Sequence, residues 1–249
     1  MSDVQAAGDA LKNTRRIVIL TGAGTSAESG IPTFRDALTG LWAKYDPAQL
    51  ATPEAFAEHP AQVTQWYDER RLKVAACKPN AGHTAIAQLQ RWAAGQGRSC
   101  VLTTQNVDRL HQAAGSQDVI ELHGNLWTWR CINCDRARDE LGPAFASYPL
   151  RCECGGLRRP GVVWFGEELD SQVLNAAGNA IAGCDFFLSI GTSSVVYPAA
   201  GLIEQAIRRE AKTLEINPAA TPFSQFFDWS IRATSAAALP ELVSLIASK

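Results

Sequence analysis

The 249-residue sequence contains no long uninterrupted apolar run and no excess of basic charge. It has 23 lysines and arginines against 25 acidic residues, for a net charge of -2, so neither nucleic acid nor an anionic membrane is an expected partner. The apolar stretch 180–196 is interrupted by Asp185 and by Gly191-Thr192-Ser193, which makes it too short and too polar to span a bilayer. Residues 1–12 lack the pattern of a signal peptide. We therefore expect a cytoplasmic protein.

Internal repeats and low-complexity tracts are also missing from the sequence. Hydrophobic residues make up 46% and charged residues 19%, the composition of an ordinary globular enzyme rather than of a disordered chain. The length allows one large domain, alone or with small insertions.

Short β-branched and apolar runs alternate along the chain with helical patterns, such as those at 83–92 and 198–210. This alternation predicts an α/β fold, a doubly wound parallel sheet covered by helices. The strand candidates are 16–21, 99–103, 119–122, 186–190 and 213–216.

Two segments, 38–79 and 125–160, break the alternation. The first carries apolar residues at helical spacing, and the second holds two cysteine pairs with little strand or helix pattern. We expect these insertions to form a smaller lobe, while residues 1–37, 80–124 and 161–249 form the main domain.

A glycine-rich turn, Gly22-Ala23-Gly24-Thr25-Ser26, follows the first strand and precedes a predicted helix opening at 25–29. Glycines in this context let backbone N–H groups approach a pyrophosphate at the helix start. The alternative is a plain strand-to-helix turn. The usual second strand ending in a ribose-binding acid about twenty residues later is missing, because the chain continues into 30–36. An ordinary hydride-transfer dehydrogenase is therefore disfavoured.

Four cysteines, Cys131, Cys134, Cys152 and Cys154, have the number and approximate spacing of a tetrahedral zinc site. Four protein ligands would leave the metal no open position, so its role would be structural. Redox or disulfide use is the alternative.

His123 follows an apolar run at the carboxyl end of a predicted strand, while Gln105, Asn106 and Asp108 follow the strand before it. Carboxyl ends of parallel strands meet at one sheet edge, so imidazole, amide and carboxylate should converge on one cleft. The alternatives are a structural or exposed histidine and helix capping by Asn106 and Asp108.

These motifs together resemble the sirtuin family of NAD-dependent protein-lysine deacylases. The resemblance implies a Rossmann-like NAD-binding domain, a smaller helical and zinc-binding lobe, and a cleft that NAD and acyl-lysine reach from opposite sides. It is carried, in the family's order, by residues 22–26, 30–36, 104–108, 123–124, the four cysteines, 162–167, 191–193 and 216–217.

The resemblance also implies roles for individual residues in NAD binding. The 22–25 turn with Glu28 would cradle the dinucleotide, Asn106 and Asp108 near Ile31 would hold nicotinamide, and Gln105 would bind a ribose. The full set of implied cofactor contacts is Gly22, Ala23, Gly24, Thr25, Glu28, Ile31, Phe34, Arg35, Gln105, Asn106, Asp108, Gly191, Thr192, Ser193, Asn217 and Ala233.

The chemistry implied by the resemblance involves His123 as general base and Asn106 as its catalytic companion. The acyl oxygen attacks the nicotinamide-bearing ribose carbon, nicotinamide leaves, and His123 takes a proton from a ribose hydroxyl. Water then releases lysine and an O-acyl-ADP-ribose. A substrate peptide would pair with the strand Val162, Val163, Trp164 and Phe165.

Tyr67 and Arg70 lie three residues apart in a predicted helix, so they share a face. From the pattern alone, the charged run 67–73 is a solvated helix surface. By resemblance, this pair with the small Ala51 marks the sirtuin class that accepts succinyl- or malonyl-lysine, with acetyl-lysine also able to fit.

Two other functions stay open from the sequence. The first is transfer of ADP-ribose to a protein side chain, and the second is a non-catalytic sensor of NAD or ADP-ribose.

Overall fold

A computed structural model describes residues 2–33 and 46–247. Its largest unit is a six-stranded sheet whose neighbouring strands are all parallel. The strands lie in the order β3-β2-β1-β7-β8-β9, which is the order of a Rossmann sheet when the six are counted along the chain. They are β1 Arg16–Thr21, β2 Ser99–Thr104, β3 Ile120–Glu121, β7 Phe186–Ile190, β8 Lys212–Ile216 and β9 Trp229–Ile231.

A second sheet has three antiparallel strands in the order β5-β4-β6: β4 Gly124–Cys131, β5 Ala137–Asp139 and β6 Arg158–Val162. The sequence pattern missed these strands because they contain arginines and are separated by cysteine-containing turns. The smaller lobe is therefore both helical and sheet-containing. Its boundaries with the main domain stay a prediction.

The helices of the described residues are α1 Asp3–Leu11, α2 Pro47–Leu50, α3 Pro53–Glu58, α4 Pro60–Ala75, α5 Ala81–Gly95, α6 Leu110–Ala113, α7 Ser171–Ala182, α8 Ala199–Arg208 and α9 Ser235–Ala247. Several begin at a side-chain cap, as where Asn80 accepts from the Gly82 N–H at 2.8 Å. No helix among residues 2–33 and 46–247 has the length and apolar character needed to cross a membrane.

Helices cover both faces of the parallel sheet, as the alternating side chains of β1 show. Ile17 and Ile19 pack into a core with residues of α1, α5 and α9, whereas Val18 and Leu20 pack into a second core with α7 and α8. A third core, in the smaller lobe, joins α2 to α4 with β4 and β6 and contains Tyr67 and Trp164. The predicted doubly wound fold is confirmed.

The prediction that a helix begins at residues 25–29 is wrong. The chain instead makes two 3-10 turns, Ala23–Thr25 and Ala27–Ser29, and leaves the second through Gly30 at φ 86°. A left-handed residue interrupts a helix, and glycine takes that conformation without a steric penalty.

The charged run 67–73 is also not the wholly solvated surface that its composition suggests. Asp68 and Arg71 are buried and form an ion pair at 2.6 Å. Arg71 donates to the carbonyls of Glu140, Gly142 and Pro143, while Asp68 accepts from the Phe145 N–H and the Tyr148 hydroxyl. This pair fastens α4 to the loop that follows β5.

Candidate active site

A cavity of about 750 Å³ lies at the carboxyl ends of β1, β2 and β7. The strand order reverses there, and α/β sheets bind ligands at such points. Most of the site residues predicted from the sequence line it: Gly22, Ala23, Gly24, Ala51, Tyr67, Arg70, Gln105, Asn106, His123, Val162, Val163, Trp164, Phe165, Gly191, Thr192, Ser193 and Asn217.

The glycines of the 22–26 turn allow two strand ends to approach each other. The Gly24 N–H donates to the Gly191 carbonyl at 2.8 Å. A Cβ on Gly22 would lie 2.8 Å from Thr192, and one on Gly191 would lie 2.4 Å from the Thr25 nitrogen. These glycines shape the floor of the cavity, and the Gly24 N–H is already engaged within the protein.

His123 lines the cavity and carries its proton on Nδ1. Its Nδ1 lies 3.0 Å from the Gln105 carbonyl oxygen, and a carbonyl only accepts, so Nδ1 carries the proton and Nε2 has a free lone pair. Burial lowers the pKa of His123, partly offset by the bond to Gln105. The neutral ring is the form that a general base requires.

A buried hydrogen-bond network lies beneath the predicted nicotinamide pocket. The Ser26 hydroxyl donates to Asp108 at 2.6 Å and accepts from Asn106 Nδ2 at 3.1 Å. His83 Nε2 lies 3.3 Å from the same oxygen, and its Nδ1 accepts from the Asn80 N–H, so Nε2 carries the proton. Burial raises the pKa of Asp108. The network fixes the Asn106 side chain.

A recess of about 20 Å³ adjoins the main cavity beside this network and is lined by Ala23, Ile31, Arg70, Asn106 and Asp108, among others. Sequence reasoning missed Ser26 and His83 as site residues. Ser26 lies within the glycine turn that was singled out, but nothing in the sequence connected His83 to it.

Thr192 organises the other end of the cavity. Gln105 donates to its hydroxyl at 2.9 Å, and Asn217 donates to its carbonyl at 2.8 Å. The lining continues through residues 219–221, which the sequence analysis did not identify. Buried Glu215 holds this loop, accepting from the Thr221 hydroxyl at 2.5 Å and from Arg232 at 2.6 Å.

Tyr67 and Arg70 of α4 line the cavity on the side of the smaller lobe. The Arg70 guanidinium carbon lies 4.6 Å from the Trp66 ring centroid and 5.5 Å from that of Tyr67. Burial lowers the pKa of Arg70 and raises that of Tyr67. A phenol and a guanidinium therefore face one pocket, and Ala51 lies on the same wall.

The segment 162–165 forms a rim of the cavity at the end of an edge strand, β6. The Val163 N–H donates to the His123 carbonyl at 3.0 Å, and the Phe165 N–H donates to the Ala51 carbonyl at 2.9 Å. Glu167 accepts from the Trp164 N–H and from Arg159, each at 2.8 Å. This segment thus connects the histidine to the pocket wall that carries Ala51.

The four predicted zinc ligands come together at the turns of the second sheet. The Sγ atoms of Cys131, Cys134, Cys152 and Cys154 all lie within 4.8 Å of one another. Tetrahedral zinc with Zn–S bonds of about 2.3 Å needs sulfurs about 3.8 Å apart, and the Cys134–Cys152 distance is 3.8 Å. Arg136 donates to Cys134 and lowers the pKa of that thiol to about 6. The cluster fits one structural zinc.

Residues 22–198 match the model of the Sir2 family. The chain belongs to the Sir2 family. It is 52% identical over 223 residues to NAD-dependent protein deacylase 1 of Pseudomonas aeruginosa, covering 86% of this chain and 88% of that protein. It is 45% identical to the NAD-dependent protein deacylase of Aquifex aeolicus, covering 94% and 96%.

Solved structures of Sir2 proteins have the same fold. A Sir2 homolog–NAD complex superposes with a TM-score of 0.89 at 43% identity, over 97% of this chain and 93% of that one. A Sir2 protein with a deacetylated p53 peptide and 3'-O-acetyl ADP ribose gives a TM-score of 0.87 at 32% identity, over 98% of each chain.

The predictions of a sirtuin, of the Rossmann-like fold with a zinc-binding lobe, of NAD as cosubstrate and of one structural zinc are confirmed. The relatives support NAD-dependent lysine deacylation, and not ADP-ribosyl transfer or a non-catalytic sensor.

Three residues that the sirtuin resemblance implied for NAD binding do not line the cavity or its recess: Thr25, Glu28 and Ala233. Thr25 is buried, with its hydroxyl donating to the Ile190 carbonyl, and Ala233 packs against the sheet core. Phe34 and Arg35 lie outside the described residues.

Proposed function

We propose that this sirtuin removes succinyl and malonyl groups, as well as acetyl, from protein lysines. NAD-dependent lysine deacylation is the activity of its family, so the proposal concerns the acyl group. It depends on one observation: Tyr67 and Arg70 line the same cavity as His123. A guanidinium and a phenol suit a terminal carboxylate, which acetyl lacks.

The protein's own groups have defined tasks in this reaction. NAD supplies the electrophilic ribose carbon and nicotinamide as leaving group. His123 Nε2 accepts a proton from a ribose hydroxyl, because the Gln105 carbonyl holds the ring in the correct tautomer. Asn106, fixed by Ser26, would hold the nicotinamide carboxamide, with Asp108 and Ile31 bordering the recess.

The remaining NAD contacts are part of the same proposal. Ala23 would meet the dinucleotide at the cavity floor, Gln105 would bind a ribose, and Gly191, Ser193 and Asn217 would contact the adenosine half. Their place in the cavity lining supports these roles. Thr25 would act by holding the turn.

An acyl-lysine peptide would enter as an extended strand against residues 162–165. The edge position of β6 in the second sheet supports this, because an edge strand offers backbone groups for pairing. The N–H groups of Val163, Trp164 and Phe165 are bonded within the protein, so the peptide would pair with carbonyl groups of this segment. Such pairing reads the peptide backbone more than its side chains. The proposal includes neither a nucleic acid partner nor a membrane, and it keeps the cytoplasmic location expected from the sequence.

Activity is tested by incubating the protein with NAD and an acetyl- or succinyl-lysine peptide. Steady-state release of nicotinamide is expected. His123→Ala should abolish turnover, since without a base for the ribose hydroxyl the reaction stops after at most one nicotinamide per enzyme. Mass spectrometry should show loss of acyl from lysine. ADP-ribose attached to the protein substrate, or unchanged turnover in His123→Ala, would refute the mechanism.

The acyl preference is tested with Arg70→Met. A charged hydrogen bond is worth about 1.5 to 3 kcal/mol, so its loss should lower the succinyl-to-acetyl ratio of kcat/KM roughly 10- to 150-fold. Lys73→Met is the matched control, because Lys73 is an exposed cation on the same helix. Equal losses on both peptides in Arg70→Met would remove the argument for acidic acyl groups.

A further inference from the structure

Trp164 makes a hydrogen bond that fixes the direction of a neighbouring hydroxyl. Its Nε1 lies 3.0 Å from the Tyr67 hydroxyl oxygen, and both side chains are buried. An indole N–H donates and cannot accept, so the Tyr67 oxygen is the acceptor. The phenolic proton must then point away from Trp164.

The indole is held firmly in this position. The Arg159 guanidinium carbon lies 3.4 Å from the centroid of the Trp164 ring, a close cation–π contact. Arg159 is itself paired with Glu167 through two bonds of 2.5 and 2.8 Å. Phe56 packs on the indole at 5.4 Å between centroids. Rotation of the ring would break these contacts together.

In the described part of the chain the Tyr67 hydroxyl has no protein acceptor for its proton, and Tyr67 lines the cavity, so an acceptor can reach it there. Arg70 lies beside Tyr67 on the cavity wall, but a guanidinium only donates. Burial raises the pKa of Tyr67, so the proton stays on the phenol at neutral pH. Tyr67 and Arg70 both line the cavity, and a phenolic O–H and a guanidinium N–H are donors of the kind that a carboxylate accepts.

We propose that Trp164 is a positioning residue for acyl specificity, whose N–H orients the Tyr67 hydroxyl as a donor to the terminal carboxylate of succinyl- or malonyl-lysine. This inference rests on the proposed function, because it requires that Tyr67 and Arg70 receive the carboxylate. It adds a residue that never touches the carboxylate but acts through Tyr67.

The test is a double-mutant cycle with Trp164→Phe and Tyr67→Phe, read as the succinyl-to-acetyl ratio of kcat/KM. Tyr67→Phe should lower the ratio about ten-fold and Trp164→Phe about three- to ten-fold, the scale of single hydrogen bonds. In the Tyr67→Phe background, Trp164→Phe should change the ratio less than two-fold, since the oriented hydroxyl is already gone.

Two controls separate orientation from packing. Trp92→Phe makes the same change in a half-buried tryptophan of α5, outside the cavity lining, and should leave the ratio unchanged. If Trp164→Phe folds poorly by circular dichroism, benzothienylalanine at position 164 keeps the ring shape and lacks the N–H. It should reproduce the lower ratio.

The outcomes distinguish this inference from the proposed function. A lower ratio in Tyr67→Phe with an unchanged ratio in both position-164 variants would overturn the role of Trp164 and leave the acyl preference standing. An unchanged ratio in Tyr67→Phe and in Arg70→Met would overturn the acyl preference, and the role of Trp164 with it.

Discussion

At the scale of single residues, hydrogen bonds to backbone groups fix the tautomer and the position of His123. The Gln105 carbonyl sets the tautomer of His123, and the Val163 N–H holds the carbonyl of the same residue. The motif placed His123 and Gln105 at one sheet edge, but not the bond between them. That bond involves a main-chain atom, which no residue identity reveals.

Activity should persist to lower pH than an ordinary histidine would allow. Burial lowers the pKa of His123 from 6.5, and the proposed general base requires the neutral ring. The acid limb of kcat/KM for an acetyl-lysine peptide should therefore fall below pH 6.5, with half-maximal efficiency below that value.

This pH profile needs a check on folding. Enzyme held at each low pH should regain full activity when it is assayed again at pH 7.5. A half-maximal point at or above pH 6.5, with full recovery, would show that His123 is not shifted downward or does not limit the rate.

Gly124, directly after His123, has no substitute at its position. Its φ is 68°, and a Cβ there would lie 1.8 Å from the Gly161 carbonyl oxygen. The close approach lets β4 pair with β6 directly after His123, which lies between β3 and β4. The His-Gly pair was recognisable in the sequence, but the partner that makes glycine necessary is 37 positions away along the chain (161 minus 124).

At the scale of elements, the sequence predicted the parallel strands well because buried strands are continuous apolar runs. The candidates at 16–21 and 186–190 match β1 and β7. It failed for β4 to β6, whose pattern carries arginines such as Arg158 and Arg159. Both arginines are buried in the structure with hydrogen-bond partners, so charge was a poor guide to exposure.

The buried Asp68–Arg71 pair should be essential for the attachment of α4. Asp68→Asn removes the charge opposite Arg71 and leaves a buried cation without its counter-ion, which costs about 3 to 5 kcal/mol. Denaturant unfolding should show this loss in the free energy of unfolding. Glu69→Gln is the control, because Glu69 is exposed and bonds only Gln65 in the described part of the chain.

That control should change stability by less than about 0.5 kcal/mol. If Asp68→Asn changed the free energy of unfolding as little as this control, the ion pair would not hold α4 to the loop after β5. Since Tyr67 and Arg70 are on the same helix, a loosened α4 should also weaken discrimination between succinyl and acetyl.

Zinc should be necessary for the second sheet. The four cysteines close the turns that join β4, β5 and β6, and structural zinc sites contribute directly to folding. We expect one zinc per chain by elemental analysis and loss of hydrogen-exchange protection in residues 124–162 after chelation. Unchanged protection in a metal-free protein would contradict a structural role.

At the scale of the whole molecule, the cavity lies between the core of the parallel sheet and the core of the smaller lobe. Its floor belongs to the parallel sheet, and Tyr67, Trp164 and Ala51 belong to the core of the smaller lobe. The family motifs fall mostly on the floor. This is why the family resemblance already indicated residues for the NAD side, whose roles stay a prediction, whereas the contacts around Tyr67 and Trp164 emerged only from the structure.

The protein should lose stability on acidification before its surface carboxylates are fully protonated. His83 and His111 are buried with ring centroids 4.8 Å apart, and burial lowers their pKa values to about 4 and about 3. Histidines in the unfolded state titrate near 6.5, so below that pH the unfolded state binds protons that the folded state does not bind. Stability contributed by the neutral rings is thus present above pH 6.5 and is lost as the pH falls toward 4.

Each histidine should account for about 3 kcal/mol of this loss by pH 4. The pKa of Asp108 is raised by burial, so its protonation in the folded state offsets part of this loss of stability. The free energy of unfolding should fall steeply between pH 6.5 and 4.5 in denaturant titrations. His111→Gln, which keeps an N–H donor toward the Thr21 hydroxyl, should give a shallower slope. An equal slope would mean that the buried histidines do not set the acid limit of the fold.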